Sequence, residues 1–368
     1  MKNVLIVSHG AALGGSPISA LNIARFIDKT RFRPVFLFGE DEQVAQMAKN
    51  EGFSVYIAKK SGFLGLGLSL KTLKIIKYEK IDIVHLNTLT SYYKYPAFAA
   101  KIAKKPIFWF VREDPTKKRC LRLMRYLNAL ATKIITVSYD SAKNMSLVNP
   151  NKLKTIRNGI DLSAYNANLD PKQCLKELGL DENEYISTIA SLEERKGILE
   201  LIQAYAKIAP KYQNTRLLIV GQDRSKKQEY LAKMQDLIQN LALNERVIIY
   251  GESKKIKQIM RISTLFVLYS AWEGLSRVLL EAMACAKAIV ASNAGGNAEQ
   301  VKDGYNGFCV KFGDINGLAS ALDKALSDKA RIRQFQINSR LLCESEFDIK
   351  RTTQEIQNLY ESALKNNA

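Results

Sequence analysis

Residues 273–281 read Glu-Gly-Leu-Ser-Arg-Val-Leu-Leu-Glu, two carboxylates eight positions apart with an apolar run leading to the second. A carboxylate accepts hydrogen bonds in pairs, which suits sugar hydroxyls and a ribose diol. The pattern predicts a helix starting near Leu275. A helix start carries unpaired N–H groups and the positive end of the macrodipole, so it favours a phosphate anion. Gly274, Leu275, Ser276, Arg277 and Val278 would line that anion. Glu273 would stand just before the start, within reach of hydroxyls beside the phosphate. Glu281 would return to nearly the same face about 12 Å along the axis, the span from a sugar to a nucleoside ribose. Taken alone, the pair also reads as a helix-start glutamate plus a surface glutamate.

Other groups could meet an anion or a base edge. Lys196-Gly197 closes the segment 188–197, which follows a strand pattern and precedes a helix pattern. The Lys196 ammonium is a compact point charge for a leaving diphosphate, and Arg195 is a candidate second cation; a solvated charged loop is the alternative. Gly14-Gly15-Ser16-Pro17 follows the first strand and opens a helix. Its glycines let the backbone approach a ligand, so it reads as a phosphate loop or a tight turn. It lacks the six-residue dinucleotide fingerprint, so no nicotinamide cofactor is expected. Tyr250-Gly251-Glu252-Ser253 ends another strand. Gly295-Gly296 and Glu299 follow the last strand of the second half, where loop chemistry is the alternative reading. The two histidines, His9 and His85, each sit at a predicted C-terminal strand end, where open α/β sheets bind ligands. His85 is therefore a candidate for chemistry or a structural histidine. Arg112 either binds an acceptor phosphate or pairs with Glu113 or Asp114.

The apolar pattern supplies the scaffold for these residues. Short apolar segments at 3–8, 34–38, 54–57, 82–86, 107–111 and 133–137 read as strands buried on both faces, with helix patterns such as 17–29, 92–103 and 117–130 between them. After a polar stretch the alternation restarts, with strands at 186–190, 216–220, 246–250, 264–268 and 288–291 and helix patterns from 314 to 365. Two alternating blocks predict an α/β protein of two Rossmann-like domains. The joint is placed at Asn158-Gly159-Ile160-Asp161 and the loop after it, since Asn-Gly is a turn signal. The expected division is 1–165 for a basic first domain, 166–345 for a second, and 346–368 for a terminal helix.

A chain of 368 residues is long enough for two cores. Its net charge of +19 is unevenly spread: residues 1–165 hold 27 Lys/Arg against 11 Asp/Glu, and residues 166–368 hold 28 against 25. The basic half implies an acidic partner, whether an anionic membrane, a lipid pyrophosphate or nucleic acid. Two basic runs, 69–77 (preceded by the apolar 62–68) and 117–125, fit lipid contact or helices packed on a sheet with their lysines in water. There is no run of 18 apolar residues, and the opening apolar run is too short for a signal peptide and reads as a buried strand. The five scattered cysteines lack metal spacing and read as reduced thiols. These features predict a cytoplasmic protein, with peripheral contact at the inner face of a membrane.

Taken in order, residues 14–17, 188–197, 250–253, 273–292 and 295–308 resemble the motifs of glycosyltransferase family 4. The likeness spans nearly the whole chain and is strongest from 186 to 312. It implies the GT-B fold: two Rossmann-like domains facing each other across a cleft, with the last helix crossing back to the first. It implies transfer of a hexose from a nucleotide-diphosphate sugar with retention of anomeric configuration, with no metal and no cofactor. Chemistry would fall to Glu273 and Lys196, with His85 and Arg112 as further candidates. The donor would touch Gly14, Gly15, Ser16, Arg195, Lys196, Gly251, Glu252, Ser253, Glu273, Gly274, Leu275, Ser276, Arg277, Val278 and Glu281. The preferred donor is a UDP-hexose such as UDP-glucose, with GDP-mannose as its rival. The acceptor would be a glycan or lipid-linked glycan of envelope polysaccharide, held on the basic domain. The chain departs from the family pattern at Ser191, where an Arg is frequent, at Arg112, where a His is frequent, and at Ala286-Lys287-Ala288 in place of Gly-Lys-Pro. A GT-B nucleotide-sugar epimerase would share the fold. A nucleic-acid-binding protein would explain the basic half, but no aromatic-rich basic face or binding motif is present, so no nucleic-acid partner is expected.

Overall fold

The computed structural model describes the chain except Leu13, 60–64, Lys117, 166–168, Lys226 and 366–368, together with the side chain of Arg119. The first part of the apolar stretch 62–68 and the first residue of the run 117–125 therefore lie outside the described residues. The chain forms two compact units: Met1–Gly159 with Ile349–Ala368, and Ile160–Asp348.

The first unit is built on β1 (Lys2–Ser8), β2 (Phe32–Phe38), β3 (Ser54–Ile57), β4 (Ile83–Leu86), β5 (Ile107–Val111), β6 (Lys133–Thr136) and β7 (Leu153–Thr155). They lie in the order β3-β2-β1-β4-β5-β6-β7, every pair parallel. The second unit repeats this plan. Its strands β8 (Glu184–Ile189), β9 (Thr215–Val220), β10 (Val247–Gly251), β11 (Ser263–Leu268), β12 (Ala288–Ser292) and β13 (Gly307–Val310) are ordered β10-β9-β8-β11-β12-β13, again parallel. Parallel strands need helical crossovers, and these cover both sheet faces, which is why Val4–Val7 and Leu217–Ile219 are wholly buried. In each sheet the strand order reverses once, between β1 and β4 and between β8 and β11. Loops leaving those neighbours turn to opposite faces and open a crevice at the C-terminal strand ends.

The periodicity misses two strands. β7 is three residues long at a sheet edge and carries a lysine. β13 opens on Gly307, which reads as a loop signal, yet a Cβ there would overlap the Ile289 carbonyl. The glycine is what lets this edge strand pair with β12. The unit boundaries also differ from the expected 165/166 and 345/346. The Ile160 N–H donates to the Phe347 carbonyl at 2.8 Å, which assigns both residues to the second unit. Gly159 lies against Ile349 with no room for a side chain. The last helix, α15 (Ile349–Lys365), packs on α1 (Gly15–Phe26) within the first unit. Its fully buried Tyr360 contacts the rings of Phe32 and Phe108 at centroid distances of 5.8 and 4.8 Å. α1 begins at Gly15, two residues before the expected Pro17.

Ala286 occupies the left-handed region, with φ of 52°. That conformation explains why a glycine suits this turn; alanine tolerates it at a cost of about 1 kcal/mol. The next residue, Lys287, is buried and donates to the carbonyls of Arg261 and Ser263 at 3.3 and 3.0 Å, so it closes the junction between α10 (Ile256–Ile262) and β11. Burial pulls its ammonium pKa down to about 8.

Candidate active site

The second unit brings Arg195, Lys196 and the Glu273 loop together at the β8/β11 reversal. A short 3-10 turn, Glu194–Lys196, follows β8, and Gly197 after it has φ of 60°. A Cβ on Gly197 would overlap the Tyr269 carbonyl, so only glycine brings this loop against the end of β11. The Arg195 carbonyl accepts from the Ala271 N–H at 2.8 Å and ties the two loops. The Lys196 ammonium consequently bonds Glu273, the two side chains being 11% and 16% exposed. Arg195 lies 3.6 Å from the same carboxylate oxygen and 2.9 Å from Glu193. The nearest approaches of Lys196 and Arg195 to the Glu273 carboxylate are both at Oε1.

Glu273 itself is in the loop after β11, not in a helix. α11 (Arg277–Ala284) begins two residues later than Leu275, because the Ser276 side chain caps it by accepting from the Leu279 N–H at 3.4 Å. The helical spacing expected between Glu273 and Glu281 therefore applies only from Arg277 onward. Not every residue from Gly274 to Val278 has a backbone N–H left for an anion. The Ser276 N–H is taken, donating to Gln300 Oε1 at 2.8 Å. Among the described residues, the N–H groups of Leu275, Arg277 and Val278 have no acceptor. The loop is clamped from behind as well. The Gly296 N–H donates to the Glu273 carbonyl at 2.8 Å, and a Cβ on Gly295 would overlap that oxygen.

Glu281 is buried and already engaged. Arg277 Nη2 approaches its Oε1 at 2.9 Å, and the Tyr165 hydroxyl donates to the same oxygen at 2.9 Å. Burial disfavours the Arg277 charge, but Glu281 and Tyr165 outweigh it and raise the pKa above its ordinary value. At the sheet edge, Gly251 has φ of 80°, Glu252 pairs with Arg224 at 2.9 Å, and Ser253 Oγ accepts from the Lys255 N–H at 3.1 Å.

The remaining candidates belong to the first unit. Gly14 is the N-cap of α1 and has no side-chain cap, and the Ser16 carbonyl and hydroxyl accept from Asn87 Nδ2 at 2.8 and 2.9 Å across the β1/β4 reversal. His85 does not join a site. It is the third residue of β4 and wholly buried, stacked 4.1 Å from Phe110, with its Nδ1 2.6 Å from the Tyr360 hydroxyl. Burial and then the neighbouring Arg112 hold its pKa well below the usual histidine range, so it is a neutral packing residue. A role in touching substrate is corrected on this geometry. Arg112 is largely spent on structure. Its Nε donates to the Asn87 carbonyl at 2.9 Å, its Nη1 bonds Asn158, and its guanidinium lies over the Phe110 ring. Burial lowers its pKa to about 10, which leaves it charged at neutral pH. Neither expected pairing forms at the guanidinium: Glu113 Oε2 accepts instead from the backbone N–H groups of Leu89 and Arg112 at 2.9 and 3.2 Å.

Three residues in this architecture were not among the candidates read from the sequence. Gln300 sits among loop residues, Tyr165 follows the joint, and Asn87 ends a strand; each is defined by a partner far away in the chain. An aromatic residue in an otherwise polar linker was the one available hint, at Tyr165.

Residues 13–164 match the family model described as Glycosyltransferase Family 4, and residues 173–341 match that of glycosyl transferases group 1. The chain belongs to glycosyltransferase family 4. The enzyme is 26% identical over 321 residues to the N-acetyl-α-D-glucosaminyl L-malate synthase of Bacillus anthracis, which covers 82% of this chain and 80% of that one. It is 28% identical over 308 residues to the UDP-Gal:α-D-GlcNAc-diphosphoundecaprenol α-1,3-galactosyltransferase of Escherichia coli, covering 78% of this chain and 77% of that one. Among solved structures, Anabaena HepE in complex with UDP-glucose superposes with a TM-score of 0.88 at 24% identity, covering 98% of this chain and all of that one. That likeness shows the fold, which is GT-B. This glycosyltransferase thus has its Lys-Gly turn and its paired glutamates on the second Rossmann-like unit, within the region matched to group 1.

Proposed function

We propose that the enzyme is a retaining hexosyltransferase that uses a UDP-hexose, UDP-glucose before GDP-mannose, and extends a glycan or lipid-linked acceptor in envelope polysaccharide synthesis. The observation that carries this reading is the meeting of Lys196, Glu273 and the start of α11 at one strand reversal. The N–H groups of Leu275, Arg277 and Val278, without acceptors among the described residues, and the Lys196 cation would face the charge that a leaving diphosphate gains, and they are in place before reaction, so little reorganisation is needed. Glu273 Oε2 would hold a hydroxyl of the transferred sugar and Glu281 Oε2 the ribose. The names of relatives add support: the E. coli enzyme is named for a UDP-sugar donor and a diphosphoundecaprenol acceptor. With cationic and N–H donors in this position, a divalent ion has no evident task. Retention from an α-linked donor means an α-glycosidic product. A panel of UDP- and GDP-sugars scored by thermal shift selects the donor, and NMR of the product's anomeric proton reads the stereochemistry. Turnover is expected to survive EDTA. A β-linked product from an α-linked donor, or activity lost in EDTA and restored by Mn²⁺, would refute the assignment.

A lipid-linked acceptor brings the enzyme to an anionic membrane surface, and the first unit has a face suited to one. Helices α3 (Leu66–Tyr78), α4 (Lys94–Ile102) and α5 (Lys118–Leu130) contain lysine and arginine but no acidic residue. α3 packs beside α4 and α4 beside α5. They leave Leu66, Leu70, Phe98, Ile102 and Leu121 exposed among those cations. Among the described residues, no helix is long and apolar enough to cross a membrane. The full chain is expected to sediment with vesicles containing anionic lipid and to be released as salt rises, since screening acts within roughly 8–10 Å at physiological ionic strength. Equal binding to neutral vesicles would sink this part of the reading.

A further inference from the structure

The start of α11 is held by a side chain that was not among the candidate site residues. Gln300 ends the short helix α12 (Asn297–Gln300) and is wholly buried. Its Oε1 accepts from the Ser276 N–H at 2.8 Å while its Nε2 donates to the Ser276 carbonyl at 2.7 Å. The side-chain amide thus pairs with both backbone groups of one residue, as a neighbouring strand would. Gln300 is itself anchored: Asn306 Nδ2 donates to its carbonyl at 3.1 Å, and Asn306 Oδ1 accepts from the Lys302 N–H at 2.7 Å. The same loop grips the Glu273 carbonyl through Gly296. Two points of the Glu273 loop, one on each side of Leu275, are therefore fixed to a single buried support.

We propose that Gln300 is a positioning residue for glycosyl transfer, setting where the N–H groups at the α11 start stand relative to the Glu273 carboxylate. This rests on the reading that those N–H groups receive the donor diphosphate. The clamp withdraws the Ser276 N–H from the ligand and leaves Leu275, Arg277 and Val278 to serve it. It also holds Ser276 in the extended conformation (φ −72°, ψ 119°) that turns the chain from the Glu273 loop into the helix. Without the amide, the buried Ser276 N–H loses its acceptor, while the Ser276 carbonyl keeps the Leu280 N–H at 3.2 Å, so the loop must move to satisfy the N–H. A shift of about 1 Å in such a site can cost up to 10²-fold in rate, so the loss should fall on kcat more than on nucleotide affinity.

Gln300→Leu is expected to lower kcat by about 10- to 100-fold while the Kd for UDP changes by no more than about threefold. Gln300→Glu keeps an acceptor for the Ser276 N–H but loses the donor, and is expected to fall between. Ser263→Ala serves as a stability control. Its hydroxyl donates to the Ile259 carbonyl and hydrogen-bonds the Ser187 hydroxyl at the far end of β11, so the variant should lower Tm and leave kcat and KM unchanged. Amide exchange followed by NMR on the wild-type protein provides the second readout. The Ser276 amide should exchange slowly with or without UDP, whereas those of Leu275, Arg277 and Val278 should become protected only when UDP binds. Wild-type kcat and KM in a folded Gln300→Leu, or fast exchange at Ser276 in the wild type, would overturn the clamp. If UDP fails to protect Leu275, Arg277 and Val278 while Ser276 stays slow, the diphosphate reading falls instead, and with it the purpose of the clamp.

Discussion

Lys196→Ala is expected to lower kcat by about 10²-fold or more, the usual loss when one preorganised donor is taken from a site of developing charge. Lys196 meets Glu273 directly, and among the described residues the one other cation at that carboxylate, Arg195, stands at 3.6 Å and is shared with Glu193. Removing the ammonium therefore does two things: it strips the diphosphate of its point charge and leaves Glu273 weakly neutralised. Glu273→Gln is expected to abolish most turnover with UDP affinity held within about threefold, because in the proposed reading the carboxylate addresses the sugar and not the nucleotide. The two side chains act as a unit, so the double variant should lose less than the product of the single losses. Steady-state kinetics and calorimetry with free UDP on all three variants test this. Full activity in Lys196→Ala, or loss of UDP affinity in Glu273→Gln, would show the roles to be assigned wrongly.

Glu281→Ala should weaken UDP binding by about 10- to 100-fold, the equivalent of one or two charge-assisted hydrogen bonds to the ribose diol. Geometry adds a second consequence. Arg277 and the Tyr165 hydroxyl lose their shared acceptor, so thermal stability should fall as well. Tyr165→Phe separates the two effects. It removes the hydroxyl that bonds Oε1 and leaves Oε2, so UDP affinity should change little. Comparing UDP with 2′-deoxy-UDP locates the contact: the wild type should discriminate between them and Glu281→Ala should not. Undiminished discrimination in the variant would remove Glu281 from the ribose site.

The parts of this site that were legible in the sequence share a local cause. Lys196-Gly197 and Glu273 each follow a strand and precede a helix, and in a parallel sheet that placement alone puts a residue at the C-terminal edge, where ligands bind. His85 shows the limit of the same rule. It lies near a strand end, but strand residues alternate between faces, and only the packing of α15 reveals which face is sealed by Tyr360. Arg112 follows a strand as Lys196 follows another, yet Asn87 and Asn158 converge on it and turn a candidate ligand group into a strut.

Strand and helix periodicity, read with the charge distribution, determined by itself that this protein has two Rossmann-like units, that its basic residues concentrate in the first, and which turns lie at strand ends where a ligand could bind. Those features depend on residues near each other in the chain. Tertiary structure alone decided which of the turn's N–H groups remain for a ligand, which carboxylate oxygens are already used, and which polar side chains are buried as supports. Gln300 on Ser276, Tyr165 on Glu281 and Tyr360 on His85 are contacts between distant segments. A buried polar group must find a partner wherever the fold places one, and no local pattern records where that will be.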